Sequence, residues 1–237
     1  MKHLRRDLEQ VEREILEIGG MVEEAIRKAT MALVDRRVDL AEEVMRGDDD
    51  IDQREVEVEE ECLKILALHQ PVATDLRFLV AILKVNNDLE RMGDLAVNVA
   101  ERATYLATHE PLPVDLNFGR MVEAVRSMVS GSLDALVKHD ARRAHSVCRQ
   151  DDLVDDMNKN MFEVLEVLMQ DQPQTIKRAV HALSASRHLE RIADLATNIA
   201  EDVVFMVDGD VIRHRTEDYR QDSEETAAIG PGAGRPG

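Results

Sequence analysis

The 237-residue chain has no tryptophan, two tyrosines and four phenylalanines, so aromatics are only 3% of it. All-β sandwiches and barrels draw on aromatic and β-branched residues, which argues against that class. Base-stacking nucleic-acid binders need aromatic platforms and a basic face. This chain lacks both, and nucleic acid is excluded as an expected partner. Cysteines number two, Cys62 and Cys148, far apart and without a CxxC pair. They read as buried thiols in a reducing cytoplasm. No long apolar run exists. Phe78 to Leu83 is far too short to cross a bilayer, and the amino-terminal MKHLRRDLEQVEREIL is interrupted by charge every few residues. A cytoplasmic protein is expected, with peripheral membrane association only through partners.

Several catalytic signatures are also missing. No histidine has a glutamate three residues before it, as ferritin-like di-iron bundles require. HExxH, GxxxxGK[ST] and GxSxG do not occur.

Hydrophobic residues, by contrast, make up 44%, enough for a globular core. Leu4, Leu8, Val11, Ile15, Ile18, Val22, Ala25 and Ala29 recur at three- and four-residue steps and mark a first helix. The pattern predicts a second helix over 38–69, with Gly47 as a weak point. A third is expected to open at Pro71 and run to about 106. The stretch 107–117, holding Pro111 and Pro113, reads as a linker. Helices are then expected near 118–138, 140–170 and 173–207, the last opened by Pro173. The five methionines 121, 128, 157, 161 and 169 read as core filler. Residues 209–237 carry mixed charge and no apolar period and read as a disordered tail.

The two halves repeat. NDLERMGDLAVNVAERATYL at 87–106 aligns with RHLERIADLATNIAEDVVFM at 187–206, an offset of 100. Asp48-x-x-Ile51-Asp52 likewise aligns with Asp151-x-x-Val154-Asp155. Two three-helix units, 1–108 and 117–208, are the simplest description. A 33-residue helix is about 50 Å long, so two such bundles use up the chain before the tail.

Within the repeat, Glu90, Asp94, Asn98 and Glu101 fall on one helical face, as do Glu190, Asp194, Asn198 and Glu201. Asp48/Asp52 and Asp151/Asp155 are also four apart. Like charges at that spacing repel, so something must offset them. Arg91 and Arg191 are one means. A hard cation such as iron, manganese or magnesium, which suits carboxylate and amide oxygens, is a stronger one. The bland alternative is a solvated acidic face. Gly93, where the second copy has Ala193, points to close helix approach or room for an ion. His69 and His188 stand nearby, and partly packed histidine is the commoner reading of each. The formal charge of −18 is not spread evenly. Residues 39–61 hold 12 acids and two arginines.

LALHQPVATDLRFLVAILKVNNDLERMGDLAVNVAERA, with QP-x-A-x-DLR at 70–77, LERxGD at 89–94 and D-x-x-ID at 48–52, resembles the PhoU family of phosphate-transport regulators. The resemblance extends from residue 1 to about 207. The second copy departs at Gln172-Pro173-Gln174-Thr175-Ile176-Lys177, so Asp75 and Arg77 lack a clean counterpart. The resemblance implies an all-α fold of two tandem antiparallel three-helix bundles related by pseudo-twofold symmetry, and commonly a homodimer. It implies multinuclear sites for iron or other divalent metals on Asp48/Asp52 with Glu90/Asp94 and on Asp151/Asp155 with Glu190/Asp194. Asn98, Glu101, Asn198 and Glu201 are weaker ligand candidates, from helical geometry alone. The implied function is non-enzymatic: coupling a phosphate ABC transporter and its ATPase to a sensor histidine kinase, so that phosphate-starvation genes stay repressed when phosphate is ample. Two alternatives remain, a structural oligomerising helical protein and a metal-assisted phosphatase.

Overall fold

A computed structural model describes residues 2–209, and the expected tail beyond 209 lies outside them. Among the described residues there are seven α-helices, a single 3-10 turn and no strand. They are α1 (Lys2–Asp35), α2 (Val38–His69), α3 (Ala73–Thr108), α4 (Phe118–Lys138), α5 (Ala141–Cys148), α6 (Asp151–Asp171) and α7 (Ile176–Asp208). Helices α1, α2 and α3 pack mutually as one three-helix unit. Helix α4, the α5–α6 pair and α7 form the second.

The apolar stripe of α1 is the one legible in the sequence. Val11, Ile15, Ile18 and Val22 are fully buried. Helix α3 closes on α1 and α2 through Leu79, Ile82, Val85, Leu89 and Met92, all at most 1% exposed. Helix α7 does the same in its unit through Leu189, Ile192, Ala196 and Ile199. Met121, Met128 and Met161 are buried, while Met157 and Met169 pack from the edge.

The units join along α3 and α7, the most extensive helix pair in the protein, and along α1 and α4. At the second seam a Cβ on Gly19 would lie 3.0 Å from Leu133 Cδ2, so the missing side chain lets these helices close. On the α3–α7 seam, Lys84 Nζ donates to Asp202 Oδ1 at 3.1 Å and sits 5.1 Å over the Phe205 ring.

Three helix boundaries differ from expectation. Helix α2 runs unbroken through Gly47. Pro71 does not open α3. Gln70 closes α2 in the left-handed region, Val72 is extended, and the helix starts at Ala73. Pro173 opens a 3-10 turn, Pro173–Thr175, and α7 follows at Ile176. The largest correction concerns 140–170, expected as one helix. It breaks at Arg149 and Gln150, where Gln150 N–H bonds Val147 O at 2.9 Å. The break gives α6 a new amino terminus with Asp151 and Asp152 in its first turn, where the helix dipole favours negative charge. Helix α5 gains its own cap, Asp140 Oδ1 accepting from Arg143 N–H at 3.0 Å.

Of the thiols, Cys62 is buried but Cys148 is only partly covered. Burial pushes both up to about 12, so neither is a thiolate at neutral pH.

Candidate metal centres

Helices α2 and α3 lie side by side and bring Asp48, Asp52, Glu90 and Asp94 together. Burial, then the charges of Asp52, Asp94 and Asp49, pushes the Asp48 carboxyl above its ordinary range. Glu90 is raised by burial and then by Asp94, Asp52, Glu55 and Asp48. Raised Asp48 and Glu90 carboxyls set among further acids call for a counter-charge. Arg91 does not supply it, since its guanidinium turns to Asp88 at 3.5 Å.

Close helix approach explains Gly93. A Cβ there would stand 3.3 Å from Ile51 Cδ1 and 3.7 Å from Asp48 Oδ1. The D-x-x-I-D motif and the glycine are thus parts of one contact.

In the second unit α6 and α7 bring Asp151, Asp155, Glu190 and Asp194 together. Burial, then Asp194 and Asp155, pushes Asp151 up to about 6. Burial, then Glu190 and Asp155, does the same to Asp194. Glu190 also rises through burial and Asp155, with Arg187 and Arg191 opposing. One oxygen each of Asp155, Glu190 and Asp194 lie within 4.8 Å of one another. Oxygens bound to one hard cation at 2.0–2.6 Å are at most about 5 Å apart, so this trio fits such an ion. Asp151 Oδ1 is buried without a hydrogen-bond partner, a further unmet demand for positive charge. The donor set therefore fits iron, manganese or magnesium, which would neutralise the carboxylates and fix the α6–α7 contact.

The weaker candidates are placed differently. Asn98 donates its amide to Asp94 O at 2.8 Å and is tied to its own helix. Glu101 is exposed and pairs with Arg102 at 3.2 Å. Glu201 is half-buried and its charge reaches Cys148, as does that of Asp151. Asn198 is half-buried beside them on α7. His69 bonds Asp7 at 3.0 Å on α1, and His188 Nε2 bonds Ser184 at 3.2 Å while His188 Nδ1 is buried without a hydrogen-bond partner.

Three participants were missed from the sequence. Glu55 extends the first cluster, pushed up by burial and then by Glu59 and Asp52. Asn86, 1% exposed, fixes Glu55 by donating to its main-chain oxygen at 2.8 Å and to Oε1 at 3.2 Å. In the second unit Thr197, 9% exposed, faces Asp151. The signal for Glu55 was its three-residue step from Asp52. Thr197 shows in the repeat alignment as a hydroxyl where the first copy has Val97.

Two tandem three-helix units, each with carboxylates of neighbouring helices turned toward one another, define an all-α repeat protein built around a pair of acidic centres. The PhoU domain matches residues 15–103 and again 118–203. The chain belongs to the PhoU family. It is 42% identical over 212 residues to the phosphate-specific transport system accessory protein PhoU homolog of Aquifex aeolicus, covering 90% of this chain and 96% of that one. The homolog of the same name in Pseudomonas aeruginosa is 41% identical over 209 residues, 88% of this chain and 86% of its own. The crystal structure of PhoU from Pseudomonas aeruginosa superposes with a TM-score of 0.85 at 40% identity, over 87% of this chain and 99% of that one. The phosphate transport system regulatory protein PhoU from Streptococcus pneumoniae superposes at 0.81 with 31% identity, over 88% and 98%. No helix among the described residues is long and apolar enough to cross a membrane.

Proposed function

We propose that the protein is a non-enzymatic accessory regulator of phosphate transport whose two acidic centres hold hard cations. The observation that carries this is the pairing of carboxylates across α2–α3 and again across α6–α7, in a chain whose relatives are named for the phosphate-specific transport system. A cation in each centre offsets the carboxylate repulsion and fixes the angle between two long helices. That sets the outer surface offered to partners. The partners of this reading are the ATPase of a phosphate ABC transporter and a sensor histidine kinase. Their coupling keeps phosphate-starvation genes repressed while phosphate is ample. The working form is a cytoplasmic homodimer, held at the membrane only through its partners.

The test is deletion of the gene followed by alkaline phosphatase measurement in ample phosphate. The reading requires derepression, restored by the wild-type gene. Unchanged repression contradicts it.

A further inference from the structure

The repeat makes the two centres counterparts, yet their residues differ at several aligned positions, among them Gly93 against Ala193 and Asn87 against Arg187. Glu55 of the first aligns with Asn158 of the second, Asn86 with Ser186, and Val97 with Thr197. The first centre therefore gathers five carboxylates: Asp48, Asp52, Glu55, Glu90 and Asp94. The second has four, with Asn158 held by Ser186 Oγ at 2.6 Å in the place of the fifth.

Charge alone would favour the first centre. Preorganisation favours the second. There Asp155, Glu190 and Asp194 already converge within 4.8 Å, and no other such group forms among the described residues. Asp52 and Asp94 of the first centre are exposed, and so are Asp155 and Asp194 of the second, so exposure does not separate the two centres; convergence does. A site whose ligands converge beforehand loses less ordering free energy on binding. Thr197 adds a second difference. It is 9% exposed, and its hydroxyl stands close enough to Asp151 to favour the charged carboxylate, although neither Thr197 Oγ1 nor Asp151 Oδ1 makes a well-formed hydrogen bond. A hydroxyl that donates to one oxygen of a ligating carboxylate holds the other toward the ion.

Resting on the reading of both centres as cation sites, we propose that they are non-equivalent: the α6–α7 centre fills first with a hard divalent cation, and Thr197 is its positioning residue, orienting Asp151. Val97 cannot do this in the first centre. Unequal filling makes the second unit a standing metal-stabilised half and leaves the first to respond to further cation.

The experiment titrates Mn²⁺ into the chelator-stripped full chain by calorimetry, with free Mn²⁺ followed by electron paramagnetic resonance. Wild type should show a tighter and a weaker phase. Asp194→Asn should remove the tighter phase and Asp94→Asn the weaker. Thr197→Val, which matches Val97 in shape, should weaken the tighter phase about tenfold, the low end for loss of an outer partner of a metal ligand. Thr197→Ser should restore it. Loss of the tighter phase in Asp94→Asn, or a single phase halved by either variant, overturns the proposed order. An unchanged tighter phase in Thr197→Val overturns the role of Thr197. No Mn²⁺ uptake by wild type defeats the cation reading itself, a result distinct from either.

Discussion

Asp202, 1% exposed on α7, accepts a hydrogen bond from Lys84 of α3 at 3.1 Å, joining the two repeats across their seam. The ammonium is partly open to solvent while the carboxylate is enclosed. The repeat does not reproduce the pair, because the residues aligned with Asp202 and Lys84 are Arg102 and Ser184. One end of the α3–α7 seam is thus tied by charge and the other by packing, with Tyr105 stacked on His181 at 3.6 Å.

Lys84→Met removes the cation and leaves Asp202 enclosed. The expected loss is about 2 kcal/mol, between the values for exposed and fully buried pairs. Urea unfolding of the metal-free protein measures it as a lower midpoint. The second variant Lys84→Arg should keep most of the stability.

The metal-free protein should lose stability as pH rises from 4 to 7. Asp151 and Asp194 ordinarily titrate at 3.8 but are pushed up to about 6 in the folded chain, first by burial and then by neighbouring carboxylates. Between those values the folded state binds more protons than the unfolded one. Stability is therefore fully present below about 4 for these two groups and declines through 6. Melting temperature against pH for the stripped protein reads this directly. Asp151→Asn with Asp194→Asn should flatten the profile, and added Mn²⁺ should raise the melting temperature most at pH 7.

Gly93 sets the distance between α2 and α3. Gly93→Leu would drive a side chain into Ile51 and toward Asp48, at a cost of about 1–3 kcal/mol for overpacking. Gly93→Ala would stand 3.3 Å from Ile51 Cδ1, 3.4 Å from its Cγ2 and 3.7 Å from Asp48 Oδ1, a tight fit that a small shift of Ile51 relieves, and a helical alanine is favoured over glycine by about 1 kcal/mol, so its stability should stay near wild type. Chemical denaturation of both variants separates close packing from backbone freedom.

The contact between Asn86 and Glu55 should matter only to the first unit. Asn86→Leu removes both hydrogen bonds to Glu55 and is expected to cost about 1–3 kcal/mol. Mn²⁺ affinity of the α6–α7 centre should be unaffected. Denaturation together with the calorimetric titration checks both parts.

What could be read beforehand follows from which signals are periodic. Helix α2 was legible at both ends, because Val44, Ile51, Val58, Cys62 and Ile65 keep a buried stripe in step from Val38 to His69. The α5–α6 break was not legible. Arg149 and Gln150 contain neither glycine nor proline, and the apolar period continues from Val147 to Val154 across them. Tertiary packing decides it: Val147 Cγ2 would lie 2.9 Å from a Cβ on Gly131, so α5 is pressed against α4. Pro71 and Pro173 were correctly placed near helix starts, but each lies in the turn before its helix. The core of both acidic centres was visible because four-residue spacing survives in both repeats. Glu55 stands three residues from Asp52 and Thr197 aligns with Val97, but the role of each comes from a contact with a neighbouring helix that one helix's spacing does not display.

The account rests on cations in the acidic centres, and a mass-spectrometric metal census tests it most directly. The full chain is purified without chelator alongside the double variant Asp94→Asn/Asp194→Asn, and bound metal is counted per chain. At least one iron, manganese or magnesium ion per wild-type chain, lost from the variant, is the predicted result. Sub-stoichiometric metal in both, with no rise in melting temperature on adding Mn²⁺, Mg²⁺ or iron, would contradict it and leave the acids as a solvated face.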